Sequence, residues 1–174
     1  MSDKKVLYII VCAAGPAGDV WKLVDMAHER GWTVQLISTP AALAFIDTNA
    51  LEKQTGRPVR SAHRAPGSPR SPKADALIIA PATFNTINKL ATGISDNYAL
   101  DIASELSGTQ LPIVILPYIN RNYFSRTPLQ NSIHALKEEG IYIQINESTP
   151  HPQGKGDPNS FPWSTALEII MRVS

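Results

Sequence analysis

The 174-residue chain reads as an α/β domain: a three-layer, doubly wound parallel sheet with helices on both faces. Two observations predict it. Aliphatic runs of strand length, among them "KVLYIIVCAA", "ADALIIA" and "LPIVILP", lack the polar alternation of a half-exposed strand and match strands buried on both faces. Between these runs lie segments of helical spacing, so strand and helix alternate along the chain, which is the order of a parallel sheet with crossover helices.

Each element follows in turn. After the first strand and "GPAGD", Val20, Leu23, Val24 and Ala27 keep helical spacing, and Gly31 is the stop. "WTVQLIS" is the second strand. "TPAALAFID" predicts a short helix with Thr39 at its cap and Pro40 in its first turn. The third strand, "ADALIIA", leads through "APATFNT" into a helix carrying Ile87, Leu90 and Ala91, and "NYALDIASELSG" predicts another helix. "LPIVILP" is the fourth strand. Thr127 and Pro128 are expected to cap a helix with Leu129, Ile133 and Leu136 inward and Gly140 at its end, and "IYIQI" is the fifth strand. A Pro/Gly-rich segment over 147–161 precedes a last helix, "WSTALEIIMRV", in which Thr165 and Glu168 have capping-box spacing. No repeat and no second domain is seen, so residues 1–174 are expected to form one domain.

Composition narrows the functional classes. Hydrophobic residues make up 43% and charged residues 18%, an ordinary globular mixture. A net charge of +1 gives no electrostatic case for nucleic acid or an acidic membrane as partner. Cys12 is the single cysteine, which excludes an intrachain disulfide and a cysteine-ligated zinc site; no metal is expected. With neither a signal peptide nor a bilayer-length apolar run, the expectation is a soluble cytoplasmic protein.

Ligands of doubly wound sheets bind outside the carboxyl ends of the strands. That rule selects "CAAGPAG", "ISTPAA", "APATFNT" and "LPYINRNYF". Ala14, Gly15 and Gly18 are small enough for close backbone approach, but Gly15-x-x-Gly18 is not the dinucleotide fingerprint, and a tight strand-to-helix turn explains it. Ser38 and Thr39 set two hydroxyls at a helix start, where most such groups are caps. Thr83, Asn85 and Thr86 crowd one turn. One of them suffices for a cap; the others are either ligand contacts or solvated neighbours.

"PATFNTINKLATGISDNYA" resembles the central motif of the homo-oligomeric flavin-containing cysteine decarboxylases, in Pro81, Ala82, Asn85, Thr86, Lys89, Gly93, Asp96 and Asn97. The likeness runs from Lys5 to about Ile145. It implies a flavodoxin-like, Rossmann-like fold, bound FMN, and a homo-oligomer of trimers or their multiples. The implied substrate is a small molecule or a peptide C-terminus bearing a thiol and a carboxylate. It further implies that Ala14, Gly15, Ser38 and Thr39 lie near the FMN phosphate and ribityl chain, and that Thr83, Phe84, Asn85 and Thr86 contact flavin and substrate. Phe84 stands where the family has alanine. Asn85 and Asn120 are the implied catalytic residues, Asn120 as a carboxylate ligand.

Two departures bear on the reaction. The family's essential histidine precedes the third strand, where this chain reads "GRPVRSAHRAPGSPRSPKADAL". His63 falls too early for that place and Gly67 or Ser68 nearer to it; an exposed loop histidine is the competing reading of His63. In "PYINRNYF", Pro117 and Asn120 stand as in the family, but Ile119, Tyr123 and Phe124 replace its Met, Met and Trp. The resemblance therefore implies a flavin-dependent decarboxylase, with a non-catalytic flavin-binding module and an empty-pocket structural protein as alternatives. Arg57, Arg60, Arg64 and Arg70 also make the loop before the third strand basic, either a lid over an acidic substrate or a solvated segment.

Overall fold

The computed structural model describes residues 4–145 and 149–174; residues 147–148 of the expected Pro/Gly-rich segment lie outside them. Five parallel strands, β1 (Val6–Val11), β2 (Thr33–Ser38), β3 (Ala76–Ala82), β4 (Ile113–Pro117) and β5 (Tyr142–Ile143), form one sheet in the order β2-β1-β3-β4-β5. That is the flavodoxin-like order, whose switch point lies between β1 and β3. Every residue of β1, β3 and β4 is buried, which accounts for their unbroken apolar sequence.

Strand periodicity divides the core. Leu7, Ile9 and Val11 join a cluster on one face with helices α1 (Trp21–Glu29), α2 (Thr48–Thr55) and α7 (Trp163–Val173), through Leu23, Leu51 and Leu167 among others. Tyr8, Ile10 and Cys12 point the other way, onto α3 (Phe84–Ala91), α4 (Tyr98–Ser107) and α6 (Thr127–Glu138). A four-residue helix, α5 (Arg121–Phe124), sits between β4 and α6.

Several expectations are revised locally. "PAALAF" forms a 3-10 turn, not an α-helix, although Thr39 Oγ1 does accept from the Ala42 N–H. Helix α2 was not legible because only Leu51 faces inward; Asp47 caps it and Gly56, at φ 69°, ends it. Thr127 is the first residue of α6 and its cap is Arg126, without a side-chain bond. Pro162 occupies the cap of α7, so Thr165 lies inside the helix and forms no capping box with Glu168. Phe161 and Trp163, edge to face at 4.7 Å, fix that boundary by packing in the core. The fifth strand shrinks to two residues, extended by one bond from the Gln144 N–H to Ile115 O.

Cys12 is fully enclosed at the end of β1, and burial pushes its thiol up, against the opposing bonds to Thr86 and Thr83. A disulfide reagent such as DTNB is expected to leave the native protein unmodified and to titrate one thiol per chain after denaturation. Reaction of the native protein at the rate of free cysteine would contradict this placement. Ile78 is fully buried in β3 at the middle of the sheet, and Ile78→Ala is expected to lower stability by about 2–5 kcal/mol in urea denaturation.

Candidate functional site

One hydrogen bond beyond the regular ladder closes each seam at the carboxyl edge of the sheet. Thr39 N–H donates to Val11 O (3.0 Å), Cys12 N–H to Pro81 O (3.1 Å) and Tyr118 N–H to Ala82 O (2.9 Å). Thr149 Oγ1 donates to Pro117 O at 2.7 Å, which carries the line on to the segment before α7. Pro81 sits where the β3–β4 register shifts, between Ile79 and Ala82, the kind of place where a residue without an N–H is tolerated in a central strand.

Two adjoining cavities open on this edge and share Ala13, Thr83 and Asn85. One, of about 400 Å³, is polar, with Thr39, Thr86, Lys89 and Asn97 among its lining. The other, of about 350 Å³, is walled by Phe84, Tyr118, Asn120, Tyr123 and His151. Both volumes lie in the range of small-molecule sites.

Hydrogen-bond accounting in the polar cavity leaves a donor free. Thr83 Oγ1 accepts from the Thr86 N–H (3.3 Å), which caps α3. Thr86 Oγ1 lies 3.4 Å from Cys12 Sγ, which donates to it, and 3.2 Å from Thr83 Oγ1. The two threonines have two hydroxyl hydrogens and one bond between them. Among the described residues no other acceptor engages the second, so it is available to a ligand. Lys89 brings no uncompensated charge, because its Nζ is 2.6 Å from Asp96 Oδ2.

In the aromatic cavity Asn120 Oδ1 accepts from the Tyr123 N–H at 3.1 Å and starts α5, so the amide presents its NH₂ as donor. Phe84, half-buried, packs on Tyr123 with ring centroids 4.8 Å apart; its place is the cavity wall. Tyr118 and His151 pack together with ring centroids 4.6 Å apart and planes tilted by 38°. Burial, and then the carboxylate of Asp157, hold the Tyr118 phenol above its ordinary value, so it stays protonated. Gly156 covers this pair so closely that a Cβ there would collide with Tyr118 Oη and lie 2.9 Å from His151 Cε1.

Of the residues singled out in the sequence, Ala14, Thr39, Thr83, Phe84, Asn85, Thr86 and Asn120 line these cavities. Ser38 does not: it is fully buried and its hydroxyl donates to Thr39 O at 2.8 Å. Gly15 is not among their lining either; a Cβ there would sit 3.0 Å from Pro158 Cγ, so its smallness admits the C-terminal segment. His63 lies on the surface, its side chain 71% exposed and its Nε2 2.7 Å from Asp101 Oδ2, and lines neither cavity. Arg60 donates to Pro69 O and Arg64 to Ser68 O, so these arginines tie the basic loop to itself. His151 went unnoticed in the sequence as a member of the site. His151 lies in a Pro/Gly-rich stretch, and nothing local marks it as a neighbour of Asn120.

The profile of the Flavoprotein family matches residues 1–163. The bifunctional coenzyme A biosynthesis protein CoaBC of Vibrio vulnificus is 28% identical over 153 residues, covering 82% of this chain and 36% of that protein. A probable phosphopantothenoylcysteine decarboxylase of Streptococcus mutans is 28% identical over 141 residues, covering 75% of this chain and 78% of that one. The chain thus spans about a third of the bifunctional relatives. The crystal structure of the FMN-dependent cysteine decarboxylase TvaF from thioviridamide biosynthesis superposes with a TM-score of 0.77 at 19% identity, covering 98% of each chain, a likeness of fold. Since the family profile takes in all but the last eleven residues, the chain belongs to the Flavoprotein family.

Proposed function

We propose that this chain binds FMN and decarboxylates a small molecule or peptide C-terminus bearing a cysteine. The observation that carries the reading is the shared wall of the two cavities. Thr83 and Asn85 border both, so groups held in the two spaces are neighbours. The polar cavity suits a flavin because its lining offers neutral donors, Asn85, Asn97 and the spare hydroxyl of the Thr83–Thr86 pair, to ring carbonyls and phosphate oxygens. A flavin bound there supplies a two-electron sink. Asn120 offers its NH₂ to a substrate carboxylate, while Phe84 and Tyr123 exclude water from the apolar part. The names of the relatives and structural neighbours, decarboxylases of cysteine-containing substrates, support the same activity.

We also read residues 1–174 as one domain, working in the cytoplasm as a homo-oligomer. Among the described residues no helix is long and apolar enough to cross a membrane. An apolar groove of about 670 Å³ between α3 and α6, lined by Ala91, Pro128 and Ala135, reaches the site through Phe84 and supports contact between copies. The position of His63 outside the cavities favours one second reading, a flavin-binding module without turnover.

Addition of FMN to the flavin-free protein is expected to give a bound-flavin visible spectrum at micromolar concentration; no spectral change would remove both readings. Thr86→Val deletes one hydroxyl and is expected to weaken FMN binding about 2- to 10-fold. Asn120→Ala is expected to raise KM for a thiol-bearing carboxylic acid about 10-fold or more, without changing the flavin spectrum. Bound flavin with no CO₂ released from a broad set of cysteine-terminated acids would decide for the non-catalytic module.

A further inference from the structure

Of the four histidines, His28 lies on α1, His63 on the surface loop against Asp101, and His134 on the exposed face of α6 beside Glu138. Only His151 lines the cavity that also holds Asn85 and Asn120. It reaches that place from more than thirty residues downstream of Asn120, and its backbone is fastened there at both ends of the residue. Its N–H donates to Ile119 O at 3.3 Å, and its carbonyl accepts from the Arg121 N–H at 2.8 Å. These bonds make a parallel bridge between Asn120 and His151. The imidazole is therefore held beside the amide, not carried on a free loop.

The ring's tautomer is set by its own neighbour. Nδ1 lies 3.0 Å from Pro152 O, and a carbonyl oxygen can only accept, so Nδ1 carries the hydrogen. In the neutral ring Nε2 is then the lone-pair nitrogen. Among the described residues no donor engages it. Tyr118 braces one side of the ring, and Gly156 leaves no room for it to swing beneath the covering segment. Orientation by a backbone carbonyl, a fixed tautomer and a free Nε2 in a ligand cavity are what a general base requires.

We infer that His151 is the proton acceptor of this site, taking the proton of a substrate thiol held in the aromatic cavity. The inference rests on the cavity being a substrate site, as proposed above. In this step the S–H bond breaks and an Nε2–H bond forms. The electron pair stays on sulfur as the thiolate, the imidazole becomes imidazolium, and no oxidant is needed. Tyr118, kept protonated by burial and by Asp157, does not compete as acceptor. The role falls to a residue from the C-terminal segment, far in sequence from the basic loop that carries His63.

The test uses N-acetylcysteine as probe and follows the ultraviolet absorbance of its thiolate at neutral pH, with and without FMN. The wild type is expected to raise the thiolate signal on binding in both conditions. His151→Asn can retain the bond to Pro152 O through its amide nitrogen but cannot take a proton. It is expected to lose the signal, and in the FMN-loaded protein to lower kcat about 10²- to 10⁴-fold with a smaller change in KM. In His151→Ala, added imidazole is expected to restore thiolate formation, which a purely structural histidine would not permit. A thiolate signal unchanged in His151→Asn, no signal from the wild type, or a near-native kcat in the variant would each overturn the inference. The flavin reading fails separately: a wild type that ionises the probe but never takes up FMN retains His151 as a base and loses the proposed cofactor.

Discussion

The parallel pairing of β1 with β3 is the constraint on which the site depends. The chain runs from β1 outward to β2, then crosses back to lay β3 on the other side of β1. The loops leaving β1 and β3 must therefore depart on opposite faces of the sheet, and a crevice opens between them. The bond from the Cys12 N–H to Pro81 O holds the two lips of that crevice at a fixed spacing. Beneath it, the Cys12 thiol reaches Thr86, so the buried end of β1 also orients the first turn of α3. Core packing and cavity-lining hydroxyls are thus joined by a single side chain.

Much of this was legible because the relevant signals are local. A strand buried on both faces reads as a run such as "ALIIAPA", and Thr83 sits in a turn that needs a cap. The cavity-lining threonines and asparagines could be selected by one rule, that ligands sit beyond strand carboxyl ends. What escaped was set by packing at long range. Helix α2 buries one leucine, so its periodicity is too weak to see. That Pro158 comes to lie against Gly15 could not be seen, because a sequence shows only that the residue is small. Ser38 and Thr39 are adjacent and chemically alike, yet the strand alternation turns one hydroxyl into the core and leaves the other at the cavity.

The segment between β5 and α7 shows the same limit from the other side. By composition it is a loop of prolines and glycines. In the fold it is a third wall of the site: Thr149 is bonded to the end of β4, His151 pairs with Asn120, Gln153 accepts from the Asn122 amide at 2.8 Å, and Gly156 covers Tyr118. Prolines and glycines there suit close, irregular packing. A β-carbon at 156 would collide with both rings, and the backbone N–H and C=O of His151 bond to the β4 loop in place of a ladder.

The electrostatic character of the site follows from these attachments. Lys89 is paired with Asp96, Arg60 and Arg64 of the preceding loop bond to that loop's own carbonyls, and the net charge of the chain is +1. Among the residues lining the two cavities, Lys89 is the one lysine or arginine, and it is paired. Recognition must instead rest on short-range hydrogen bonds from neutral donors, Thr83 with Thr86, Asn85 and Asn120, in spaces partly closed to water. Such a site discriminates by shape and donor placement more than by charge, because a misplaced partner leaves a desolvated donor unpaired. It also suits an imidazole as the working base, since the Nδ1 hydrogen directed at Pro152 O leaves Nε2 as the acceptor nitrogen of the neutral ring.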